Sequence, residues 1–340
     1  MFPLSTIFLP PQRAAMALSK LSADEHGIIL SQLCNALEPR LTVYFSSASS
    51  GLRVLLTPAL LQQLKADHEV AAALCRKMGM SCKELREAKK VSDKGLSVAD
   101  LATLGSLGSV LPALEDLFLD CYEEGPYLQR LVEGLVAGAL PAVTALVLFH
   151  MEVCDAGASA LAAALGRGAL PRLEILVLGA SGIGDAGLVA LAPALQRLPA
   201  LQELVLAENY FGDEGVAALV APPPAGALPL PTGVLATLKK LNLENSRVTD
   251  AGCAALVAAL DRGALPALVE LDLSYLTQIT DASCAALAAA LDSGVLPTLK
   301  TLKLDGPHTS AEAGDAVLAA LAKLTGNPNR DPNQVRLVED

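Results

Sequence analysis

Leu201-Gln-Glu-Leu204-Val-Leu206-Ala-Glu-Asn209-Tyr-Phe211 is the stretch that decides how this 340-residue chain folds. Leu204 and Leu206 alternate at period two, the mark of a short strand whose leucine side faces inward. Leu238-Lys-Lys-Leu241-Asn-Leu243 and Leu268-Val-Glu-Leu271-Asp-Leu273 repeat its first half. The phrase Leu-Pro-Ala-Leu opens ahead of it at Leu198 and again at Leu111 and Leu265, with variants at Leu140, Leu170, Leu235 and Leu296. These mark about seven units at a spacing of roughly 28 to 31 residues, the fourth stretched to about 37 by an insertion.

An aspartate follows the strand in five of these units, at Asp155, Asp185, Asp213, Asp250 and Asp281, and a small-residue run such as residues 285–291 follows the aspartate. Asp is a good N-cap and Ala a good helix former, so each strand is expected to lead into a helix capped by its aspartate. A strand with one apolar face and an Ala/Leu helix cannot bury themselves alone. Stacked, they make one continuous core, with parallel strands on a concave face and helices on a convex one. The expected fold is an α/β horseshoe solenoid.

In these residues the chain resembles the long-repeat leucine-rich family typified by ribonuclease inhibitor, strongly over residues 111–324. The turns Val248-Thr249-Asp250-Ala-Gly and Ile279-Thr280-Asp281 are similar to the cysteine-containing repeats often joined to F-box domains. One departure is that the consensus Asn after the strand stands only at Asn209, where other units have Met151, Ser181 and Ser246. The side-chain ladder between adjacent turns is therefore expected to be incomplete.

Outside the repeats, Val91-Ser92-Asp93-Lys94-Gly95 and the run from Ala99 to Leu104 echo the turn-plus-helix half of a unit, so a degenerate capping repeat is expected over 82–110 and the solenoid over 82–324. Residues 18–81 lack the repeat. Ser22-Ala-Asp-Glu25 is a capping box leading into Ile28, Ile29, Leu30, Leu33 and Leu37, and Pro58 opens a second helix through Leu60, Leu61 and Leu64. The stretch Leu21 to Arg53 resembles a degenerate F-box, with Ser22 where that family has Pro. The resemblance implies docking to a Skp-type adaptor of a cullin ubiquitin ligase; the other reading of 18–81 is a helical cap over the first repeat. Residues 1–17 read as a disordered leader and 325–340 as a flexible tail.

Composition narrows the function. A formal net charge of −11 disfavours nucleic-acid and anionic-membrane surfaces, whose affinity comes from clustered Lys and Arg. No stretch is long and apolar enough for a membrane span. Seven scattered cysteines in a chain this large point to a reducing compartment, cytoplasmic or nuclear.

Several motifs tempt and fail. Gly182-Ile-Gly184-Asp-Ala-Gly187, with Glu203 downstream, mimics a dinucleotide fingerprint, yet Asp155-Ala-Gly157, Asp213-Glu-Gly215 and Asp250-Ala-Gly252 occupy the same slot in other units. Cys253 and Cys284 stand where other units have Ala158, Leu188 and Val216, which is a core position. The isolated histidines and the Cys75-to-Cys82 spacing fit no zinc pattern, so neither metal nor cofactor is expected. Pro222-Pro223-Pro224, in the insertion 221–234, is read as a bulging loop ahead of a polyproline ligand.

The expected function is a non-catalytic protein-protein interaction scaffold, with the ubiquitin-ligase substrate adaptor as the alternative. If the leucines point inward, the residues between them face the concave surface. The middle positions read Phe118, Val147, Val177 and Val205, then Asn242, Asp272 and Lys303, with Phe149 beside Val147. An apolar half is thus followed by a polar half, in which Glu203, Glu244, Glu270 and Asp272 would favour a partner with a basic rim.

Overall fold

The computed structural model describes residues 35–40, 42–44, 54–55, 57–120, 125–223, 233–304, 306 and 309–325. The chain forms two compact units: residues 1–88 with 110–113, and residues 89–109 with 114–340.

In the first unit, Thr57 caps helix α1 (Pro58–Lys77) by accepting the Leu60 N–H, and Pro58 starts it without wasting a donor. Helix α2 (Cys82–Glu87) opens with a reciprocal capping box between Ser81 and Glu84, whose backbone and side-chain hydrogen bonds hold the Glu84 carboxyl below its usual range. Leu37, Leu64, Ala71, Leu74, Cys75 and Leu85 are buried.

The second unit is one open sheet of eight parallel strands in sequence order. They are β1 (Lys90–Lys94), β2 (Asp116–Asp120), β3 (Ala145–Phe149), β4 (Ile175–Val177), β5 (Glu203–Val205), β6 (Lys240–Asn242), β7 (Glu270–Asp272) and β8 (Thr301–Lys303). Between them run α3 (Val98–Ser106), α4 (Tyr127–Glu133), α5 (Cys154–Gly166), α6 (Asp185–Leu195), α7 (Asp213–Val220), α8 (Asp250–Asp261) and α9 (Asp281–Ser293), and α10 (Ala311–Thr325) follows β8. Each of these helices packs on the next in sequence order. This is an α/β leucine-rich-repeat solenoid.

The register explains why the unit cannot slip. Val91, Leu117, Leu146, Leu176, Leu204, Leu241, Leu271 and Leu302 stand opposite one another across the sheet, and every one is buried. Moving one strand by a residue would bring this row out of the core and drive polar neighbours into it. Val91 belongs to the row, so Val91 to Lys94 is part of a strand and the turn expected there is corrected.

Each repeat leaves its strand through a left-handed residue: His150, Ala180, Glu208, Asn245 and Tyr275 have φ between 49° and 58°. Backbone bonds offset this unfavourable conformation, since Ala180, Glu208 and Asn245 donate their N–H groups to Ala207, Glu244 and Ser274 in the following repeat.

The recurring aspartates do something other than cap their own helices. Gly184, Gly212, Thr249 and Thr280 hold the cap positions, and the aspartate comes one residue later. Each carboxylate instead accepts N–H donors from the start of the next repeat's helix. Asp155 serves Gly184 and Gly187, Asp185 serves Gly212 and Gly215, Asp213 serves Thr249 and Gly252, Asp250 serves Thr280, and Asp281 serves Ser310, all at 2.7 to 2.9 Å. Where the recipient is Thr or Ser its hydroxyl donates as well. The Asn ladder is reduced to Asn209, which accepts from Ser181 and Ile183 and donates to the Leu178 and Leu206 carbonyls. The aspartate ladder links the turns that lack Asn.

Candidate functional site

The strand face opposite the buried leucine row carries the expected binding residues. Phe118, Val147, Val177, Val205, Asn242, Asp272 and Lys303 are direct neighbours in one row across β2 to β8. Phe118, Val147 and Val205 are half-buried, while Val177 is only 7% exposed. The small residues Ala145, Gly179 and Ala207 lie beside them with Ile175, so the apolar half of the face is shallow and smooth. Phe149 ends β3 in register with Asp120, and its side chain lies outside the described residues. Phe118 is not a bare ring, because the Lys90 ammonium sits 4.2 Å from its centroid.

The polar half is more nearly neutral than its acids suggest. The Lys240 ammonium lies 3.1 Å from Glu203, and that of Lys303 lies 3.0 Å from Glu270 and 3.1 Å from Asp272. Burial works against the Lys303 charge, but hydrogen bonds to Glu270 and Asp272 outweigh it and push its pKa above the ordinary lysine range. Asp272 is 3% exposed and also accepts the Ser274 N–H, so it is held inside the face and away from a partner. Of the four expected acids, Glu244 alone lacks a cation among the described residues. Asn242 turns its side-chain oxygen onto the Glu244 N–H at 2.8 Å.

At one rim of this face, outside the expected set, stand Tyr210 and Tyr275, 58% and 50% exposed. Arg247 stacks on the Tyr210 ring, 4.7 Å from its centroid. The signal for Tyr210 was present in the sequence, as an aromatic beside Phe211 in an aromatic-poor chain. The pairing with Arg247 needs the register of two repeats.

The fingerprint at Gly182 is already occupied by the protein itself. The N–H groups of Gly184 and Gly187, which a phosphate would need, are taken by Asp155. A Cβ at Gly187 would come within 2.5 Å of the same carboxylate, so the glycine is required by close approach of the preceding repeat. Burial pushes the Cys253 thiol up to about 11, and Cys284 is fully buried in the equivalent slot. No group of three or more His, Cys, Asp or Glu among the described residues could hold a metal ion. No described helix is long and apolar enough to cross a membrane. Most of the F-box-like stretch 21–53, the leader 1–17, nearly all of the tail and residues 224–232 of the insertion lie outside the described residues.

Residues 198–220 and 234–257 match the leucine-rich-repeat family model. No curated protein matches the chain in sequence. Among solved structures it is similar to an internalin from Listeria monocytogenes, at 17% identity and a TM-score of 0.41 over 74% of this chain, spanning 62% of the internalin. It is also similar to the actin-binding site 2 of leiomodin-1, at 19% identity and a TM-score of 0.37 over 50% of this chain and 89% of that one. Two consecutive repeats match the family's pattern and the eight strands stack in parallel in sequence order, so the chain folds as a leucine-rich-repeat solenoid.

Proposed function

We propose that the chain is a non-catalytic scaffold that binds a protein partner on the strand face of its solenoid. The observation carrying this reading is the apolar row Phe118, Val147, Val177 and Val205 with Ile175 beside it, all half-buried on the strand face except the buried Val177. Such a row is a recognised interface signature, where isolated exposed apolar residues are not. The partner presents an apolar patch to β2 to β5 and a basic group to Glu244, which has no cation partner among the described residues. The described cysteines Cys75, Cys82, Cys154, Cys253 and Cys284 are free thiols, which suits the cytoplasm or nucleus.

The test is affinity capture from native extract with the full chain and with Phe118→Asp/Val147→Asp. The double variant should fold with the wild-type circular dichroism, because neither side chain belongs to the buried leucine row, and should lose the proteins that the wild type captures. The same proteins captured at wild-type strength by the folded variant would move the site off this face.

A further inference from the structure

The first unit contains a cleft of about 450 Å³, and its size lies in the range of roughly 300 to 1,000 Å³ typical of ligand sites. Arg40, Val43 and Tyr44 line one wall and Leu61, Leu64 and Lys65 of α1 the other. Both trios follow the spacing i, i+3, i+4, so each wall is one face of a helical turn. The first wall is pinned from behind: the His68 ring nitrogen Nδ1 lies 2.6 Å from the Ala36 carbonyl, Glu38 pairs with Arg86, and Leu37 is 5% exposed. The cleft is thus a built feature of the unit.

Its chemistry is specific. Val43 and Tyr44 at its mouth are 52% and 74% exposed, large values for apolar and aromatic side chains. Arg40 and Lys65 stand one on each wall, both exposed, and neither has a carboxylate partner among the described residues. In a chain of net charge −11, a cleft with an apolar floor and a cation on each side complements apolar anchors flanked by carboxylates. A groove between two helical walls suits a third helix, laid in it by its apolar face.

We propose that this cleft is a second docking site, which takes the apolar face of an acidic amphipathic helix of a partner protein. It is independent of the strand face.

Calorimetric titration of the full chain with two synthetic amphipathic helices tests it: one with Leu at i, i+3, i+4 and i+7 flanked by Glu, and its twin with Lys for Glu. The wild type should bind the acidic helix at least about tenfold more tightly than the basic one, and Arg40→Glu/Lys65→Glu should invert that preference. Leu61→Asp, on a half-exposed position, should lose both helices while keeping its circular dichroism. Phe118→Asp/Val147→Asp should bind the acidic helix as the wild type does, which separates this site from the strand face. Binding of neither helix by the wild type, or a preference unchanged by the charge reversal, would overturn the proposal. So would dodecanoate binding where the acidic helix does not, which would make the cleft a site for a lipid chain.

Discussion

At the scale of single residues, the aspartate in the first turn of each helix from α5 to α9 couples one repeat to the next. Asp213 satisfies the N–H groups of Thr249 and Gly252 and the Thr249 hydroxyl, all part-buried. Asp213→Ala removes the acceptor and strands its donors, so it should lower unfolding free energy by about 1 to 3 kcal/mol in a urea titration. Asp281→Ala, whose bonds to Ser310 are exposed, should cost less. Gly252→Ala should also destabilise, because its Cβ would collide with the Asp213 carboxylate and press on Val248. In combination with Asp213→Ala its cost should shrink, a coupling that a double-mutant cycle reads directly.

Asp250 adds a pH signature. The Ser283 hydroxyl, against a smaller opposing effect of burial and with further help from Thr280, holds its carboxyl below the usual range. A folded-state pKa lowered in this way contributes stability above the unfolded value of about 4 and loses it as pH falls through the folded value. Asp250→Asn should therefore flatten part of the acid limb of a stability-versus-pH curve measured below about pH 4, and a curve parallel to wild type would remove Asp250 from the ladder.

At the scale of elements, the strands are held by buried leucine rows, and a charge placed in the row of Leu204 has no partner. Leu204→Asp should cost about 4 kcal/mol or more, and loss of the cooperative melt is the expected readout. Thr249→Ala, which removes a side-chain cap from α8 and one hydroxyl from the ladder, should cost about 1 kcal/mol. The strands were legible because leucine alternation is a local signal with strong chemistry behind it. β1 was not, since it offers only Val91 to the buried row and its remaining residues, Ser92, Asp93 and Lys94, have turn chemistry. Pairing with β2 makes it a strand, and that information lies in Leu117 and its neighbours.

The same distinction separates the parts of the candidate site. Which residues share the open face followed from period-two alternation. How far each is exposed did not, as Val177 and Asp272 show. The neutralisation of Glu203 by Lys240 and of Glu270 by Lys303 joins residues more than thirty positions apart, visible only once the strands are laid side by side. The aspartates were misassigned for a related reason: an Asp at a helix start reads locally as a cap, whereas its donors lie in the following repeat.

At the scale of the whole molecule, the solenoid's stability is spread over interfaces between neighbours, so each repeat supports the next and a defect in the middle divides the array. The two sides of that array differ in chemistry. The outward faces of α5, α8 and α9 are mostly alanine, at Ala156, Ala163, Ala254, Ala258, Ala285 and Ala289, broken by the polar Ser159, Asp261 and Asp292, and α6 adds a single exposed valine, Val189. The strand face carries Phe118, Val147, Ile175 and Val205. Binding energy concentrates in large side chains that fill a complementary surface, which favours the strand face as the side a partner reads. A photo-crosslinking residue placed at Val205 on the strand face, and in a separate variant at Ala254 on the helix side, tests this most directly. After capture from native extract and irradiation, position 205 should give a covalent adduct with the partner and position 254 none; an adduct from 254 with none from 205 would place the partner on the helix side instead.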